Sequence, residues 1–177
     1  MPSSFITTNL ISWLGVMVLI LALLGLFKKR KKKFNDKAFY QAQKQRVQKG
    51  GYCRQKLLNE TEKAAYQALL NMRQNKALQI FAQVSLGEIL SHQDYQRYRD
   101  IMSKRVDFLI TDKAFLPLFA IEIHGTGHYL SHNAKKRDEI KQLALNSAGI
   151  QYIAIEVNRN NVKQKVTKAC QVLFKKY

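Results

Sequence analysis

Two carboxylates and a histidine sit where the chain is otherwise apolar and extended. Asp107 lies within Val106 to Ile110, and Glu122 and His124 lie within Leu118 to His124. An ionised carboxylate in such a strand is costly unless something pairs with it. With side chains alternating across a strand, Val106, Phe108 and Ile110 share one face, which leaves Asp107 and Leu109 on the other. On the second strand Phe119, Ile121 and Ile123 share a face, and Ala120, Glu122 and His124 lie opposite. If the hairpin closes through Lys113 to Leu116, Asp112 pairs with Pro117 and Asp107 falls across from Glu122 on the same face. Two like charges so placed destabilise a sheet unless they are neutralised. A hard divalent cation does this. Mg²⁺ (or Mn²⁺) takes one or two carboxylates, fills its shell with water and phosphate oxygens, polarises a phosphodiester and activates water.

On this reading Asp107 and Glu122 are the metal ligands, and His124, on the same face as Glu122, is placed to orient or deprotonate water. Gly125 and Gly127 let the chain turn and bring His128 near, while Arg137 and Lys141, four residues apart on the next helix, can hold a phosphate. Structural roles compete. Asp107 could instead pair with Arg105 or a nearby lysine. His124, His128 and His132 recur every four residues, but Gly125 and Gly127 break the helix that zinc ligation at this spacing requires.

The elements that position these residues are those of an α/β domain. Asn59 followed by Glu62 at the third helical position is a capping box, opening an amphipathic helix with Ala64, Ala65, Leu69, Leu70 and Met72. Leu78 to Val84 is expected to be a strand, and Gly87 to Arg99 a short helical or irregular excursion. After the hairpin, Ala134 to Ser147 has helical periodicity and ends at Gly149; Ile150 to Val157 is β-rich and Asn161 to Lys176 is a closing basic helix.

Upstream, Leu10 to Phe27 is eighteen residues without a charge, followed by six consecutive cations, Lys28 to Lys33, whereas residues 1–9 carry no charged side chain. At 1.5 Å per residue the run reaches roughly 27 Å, close to the hydrocarbon thickness of a bilayer. The order of charges is the reverse of a cleaved signal peptide. The expected organisation is a short extracytoplasmic N-terminus (1–9), a transmembrane helix (10–27), a basic juxtamembrane stalk (28–56) and a cytoplasmic domain (57–177) on the inner membrane, with Lys28 to Lys33 against anionic headgroups. Without those six cations, 24 basic residues still face 12 acidic ones, a balance of +12 that asks for an anionic partner, nucleic acid or the membrane. An apolar fraction of 46% excludes a disordered chain, and two cysteines, Cys53 and Cys170, exclude a disulfide scaffold.

Asp107 and the Glu122-Ile123-His124 strand, downstream of a helix bearing Glu62, resemble the PD-(D/E)XK nuclease superfamily. The stretches Arg105 to Phe108, Ala120 to His128, and Lys136 to Asp138 with Lys141 are similar to the branch that includes very-short-patch-repair endonucleases and domains of unknown function, some of them membrane-anchored. The likeness covers about Leu57 to Val157. It implies a restriction-endonuclease-like central mixed sheet flanked by helices, metal at Asp107 and Glu122 aided by the Ile123 carbonyl, and phosphodiester hydrolysis. Glu62 would then match the first-helix carboxylate that positions water, although capping alone also explains it. The usual family lysine is His124 here, and Lys141 is a candidate migrated substitute. Arg105, Lys136, Arg137 and Lys141 would contact DNA or RNA. The alternative expectation is a catalytically silent nucleic-acid-binding or membrane-associated assembly module on the same fold.

Overall fold

The computed structural model describes residues 4–74, 76–126 and 132–177. The chain divides into two units, Met1–Arg54 and Gln55–Tyr177. In the first, one helix, α1 (Ser4–Gln48), contains the apolar run and continues to just before Gly50 and Gly51. Its large apolar side chains from Val16 to Leu26 are exposed, Leu19 by 65%. Among the described residues no helix is long and apolar enough to cross a membrane. The expectation placed on the side chains of Lys28 to Lys33 lies outside the described residues.

The second unit is a mixed α/β domain with a four-stranded sheet flanked by helices. Helix α2 (Glu60–Arg73) leads into β1 (Leu78–Ser85), a 3-10 turn at Leu86–Glu88 and the short α3 (Tyr95–Met102). Strands β2 (Arg105–Asp112) and β3 (Pro117–His124) form the hairpin, α4 (His132–Ser147) crosses over to β4 (Gln151–Glu156), and α5 (Val162–Lys176) closes the fold. The strand order is β1-β2-β3-β4, antiparallel except for the parallel β3–β4 pair, which is why a helix joins those two.

Capping explains the start of α2. The Asn59 side chain accepts from Glu62 N at 2.9 Å, and Glu62 Oε2 accepts from Asn59 N at 2.8 Å. Helix α4 ends as expected, with Gly149 at φ +75, a conformation that L side chains rarely adopt. One face of the sheet packs Phe108, Ile110, Phe119 and Ile121 against α2 and α5, through Leu69, Val166, Cys170 and Phe174. The other packs Leu109 and Ala120 with Leu86, Leu145 and Ile150, and partly covers Ile101 of α3. Burial pushes the Cys170 thiol up to about 12, leaving it an inert core group.

Two expectations about the hairpin are corrected. Near the turn Thr111, not Asp112, pairs with Pro117, because a bulge leaves Leu118 extra after the Ile110–Phe119 pair. The turn is closed instead by Asp112, whose Oδ1 accepts from Ala114 N and Leu116 N, both at 2.9 Å. The second correction concerns Val106, which packs in the α3/α4 core and not with Phe108 and Ile110. On β1 the change is matched: Ala82 faces the α2/α5 core, whereas Val84 faces the other. Both strands therefore reverse faces between these residues, at Gln83 and Asp107. Gln83 has φ +56, the left-handed conformation that breaks the two-residue alternation.

Candidate functional site

The β2–β3 pairing runs in the expected register from Ile110–Phe119 to Phe108–Ile121 and stops one residue short of Asp107 and Glu122. There a side chain replaces the backbone ladder: Asp107 Oδ2 accepts from Ile123 N at 2.8 Å. The left-handed turn at Gln83 brings its amide to the same place. Gln83 Nε2 lies 3.4 Å from Asp107 Oδ1 and 3.4 Å from Glu62 Oε1. Glu62 thus serves the capping box with one oxygen and approaches Gln83 with the other, so its structural and site placements coexist.

Glu122 is 6% exposed. Its carboxyl is pushed up to about 7, first by burial and then by the charge of Asp107, against the opposing pull of Lys141. The two acids therefore feel each other, as the register argument expected. Lys141 reaches in from α4 and donates to Glu122 Oε1, and its Nζ also lies 2.9 Å from Asp138 Oδ1. Burial alone would lower the Lys141 pKa; the carboxylates of Glu122 and Asp138 more than offset this, and it lies above its ordinary value. His124, 2% exposed, places Nε2 3.4 Å from the other Asp138 oxygen. Asp138 therefore bridges His124 and Lys141, so the four side chains His124, Asp138, Lys141 and Glu122 form a continuous polar row beside Asp107.

Beside this row opens a cleft of about 330 Å³ lined by Ser103, Lys104, Arg105, Arg137, Asp138 and Lys141. Its lining carries four cations and one acid. The structure thus brings Arg105, Arg137 and Lys141 together, and leaves Lys136 exposed on α4 outside the cleft lining. His128 lies outside the described residues. Sequence reasoning missed Lys104 and Gln83. Drawing β1 against β2 would have found the latter, since Gln83 interrupts an apolar run at the position facing Asp107.

The side chains available to hold a metal are Asp107 and Glu122. Among the described residues no three of His, Cys, Asp and Glu converge to hold an ion by themselves. Asp107 has Oδ2 engaged by Ile123 N and Oδ1 approached by Gln83 Nε2, and Glu122 has Oε1 engaged by Lys141. A metal ion held by these two acids would have to take most of its shell from water or phosphate oxygen.

The fold and site together define a mixed α/β domain with a carboxylate–lysine cluster at the fork of a hairpin, beside a cationic cleft. The chain belongs to the family of proteins of unknown function DUF2726, whose model matches residues 54–173. It is 40% identical over 112 residues to an uncharacterized protein of Haemophilus influenzae, an alignment covering 60% of this chain and 57% of that protein. It is 38% identical over 106 residues to the uncharacterized protein y4bI of Sinorhizobium fredii, covering 59% of this chain and 76% of that protein. The chain thus spans little more than half the length of the Haemophilus relative. No solved structure matches it.

Proposed function

We propose that the domain is a PD-(D/E)XK-like, metal-dependent nuclease acting on nucleic-acid phosphodiesters. The carrying observation is that Lys141, which is held by Glu122 beside Asp107, also lines a cleft with Lys104, Arg105 and Arg137. The cleft cations bind and orient a phosphate, and Lys141, held by Glu122 and Asp138, adds positive charge where negative charge develops. Asp107 and Glu122 would hold a divalent cation, which would supply electrophilic activation of the phosphodiester. The Lys141 ammonium takes the place of the family lysine that His124 replaces in sequence.

The test is cleavage of DNA and RNA by the full chain with Mn²⁺ or Mg²⁺, with chelator controls. Asp107→Ala is expected to abolish metal-dependent cleavage; undiminished cleavage by that variant refutes the assignment. A second reading, a silent nucleic-acid-binding module, is favoured by one observation: Glu122 already has a cation, Lys141, against it. Calorimetry separates the readings, because the silent module takes up nucleic acid without taking up Mn²⁺.

The exposed apolar side chains of Val16 to Leu26, within the uncharged run Leu10 to Phe27 and before six cations, support membrane attachment with the domain on the cytoplasmic side. Protease accessibility of either end in sealed vesicles tests the orientation.

A further inference from the structure

The cationic cleft does not end at Lys141. Next to it along α4 lies a second cavity of about 670 Å³ between α3, α4 and the segment after the 3-10 turn. Its walls include Leu90, Ile101, Ile140, Leu143, Ala144 and Ala148. Arg137 and Lys141 line the first cavity and Ala144 and Ala148 the second, on one stripe of α4 at helical spacing. On the α3 side Ile101 is followed two residues later by Ser103, which lines the cleft. The two cavities follow one another along α4 as a trough, the first lined mainly by cations and the second mainly by aliphatic side chains, with Arg97 and Asp100 at its α3 side. Ile140 is 41% exposed and Leu143 65%, so the aliphatic end is open to solvent.

A trough with this polarity suits a ligand that carries a negative charge a few ångströms from a flat apolar body. Duplex nucleic acid presents only its phosphates to such a surface, because its bases are stacked inside. A single strand can offer both groups. We propose that the trough binds an unpaired nucleotide, its phosphate in the cationic cleft and its base between the aliphatic walls of α3 and α4. The inference rests on the nuclease reading and assigns it a substrate class: single-stranded or locally unpaired nucleic acid.

The test compares binding of the full chain to three fluorescent probes at one fixed moderate salt concentration: a short single strand, an abasic strand of equal length and charge, and a duplex. The single strand is expected to bind severalfold more tightly than the abasic strand, because its base buries apolar surface that the abasic strand leaves exposed. It is also expected to bind more tightly than the duplex. Leu143→Ser, an exposed position whose change leaves the core intact, is expected to bring the single strand down to the abasic level. Equal affinity for single and abasic strands, or for single strand and duplex, overturns the inference, and metal-dependent cleavage under those conditions leaves the nuclease reading standing. Binding to anionic phospholipid vesicles that Leu143→Ser weakens, with no probe bound, overturns both and makes the trough a lipid site.

Discussion

Replacing Lys141 with methionine removes the cation against Glu122 while keeping much of the side chain's length. In the intact protein the Glu122 carboxyl titrates at about 7 instead of 4.5, so the folded state holds that proton longer than the unfolded chain does. The sign follows from linkage: this group's contribution is most favourable below about 4.5, declines as pH rises, and levels off above about 7. Across that interval the loss is ~3 kcal/mol. In Lys141→Met the opposing pull of the ammonium is gone, the folded carboxyl titrates higher still, and the decline continues above neutrality. At about pH 5 Glu122 is protonated in both proteins, so the variant's deficit should shrink to that of the lost Lys141–Asp138 pair. At about pH 8 the variant should be less stable by ~3 kcal/mol, the lower end for breaking a buried ion pair. Urea unfolding with chelator present, followed by tyrosine fluorescence, reads this directly. The double variant Glu122→Gln/Lys141→Met, which leaves neither charge buried alone, should recover most of the loss at high pH and flatten the profile. An equal deficit for Lys141→Met at both pH values, or no recovery in the double variant, would refute the argument that the deficit is an uncompensated carboxylate.

Arg137 is exposed and lines the cationic cleft, so Arg137→Ala should weaken nucleic-acid binding without unfolding the domain. The slope of log affinity against log salt should fall by about 1, as measured by anisotropy titrations at several ionic strengths. Asn59→Ala removes the acceptor for Glu62 N and disturbs the reciprocal bond that orients Glu62. It should cost ~1 kcal/mol in urea unfolding.

The elements were largely legible because each carries its own local signal. The Asn59–Glu62 box announces α2, Gly149 ends α4, and the alternation of Phe119, Ile121 and Ile123 against Ala120 identifies the faces of β3. The bulge at Leu118 had no such signal. Asp112 closes the turn through its own side chain and shifts the pairing by one residue near Pro117, while the register further along the hairpin is unaffected. Spacing suggested Lys141 only as a substitute for the family lysine, and its contact with Glu122 was not foreseen, because it depends on how α4 lies across the sheet, which periodicity does not encode. Lys104 was passed over for a similar reason: it belongs to the cleft through the approach of α3 to α4, and its immediate neighbours give no sign of this.

The places where alternation failed and the place where the acids meet have a common cause. A regular ladder satisfies every backbone donor with a backbone acceptor and leaves no work for a side chain. At the end of β2 the Ile123 N–H is satisfied by Asp107 instead, and this ties a carboxylate to the point where β2 and β3 part. Strand β1 follows by taking Gln83 into the left-handed region, which turns its amide toward both Asp107 and Glu62 and reverses the faces of Val84 and Val106. A non-glycine residue at φ +56 costs on the order of 1 kcal/mol, so the kink needs compensation from the contacts it creates. Those contacts are all to carboxylates. The irregularity therefore gathers negative charge at one point of the sheet, beside the row through which Asp138 and Lys141 reach Glu122. A regular hairpin of the same composition would have kept Val106 with Phe108 and left Asp107 without the Ile123 N–H that ties its carboxylate to the end of the β2–β3 pairing.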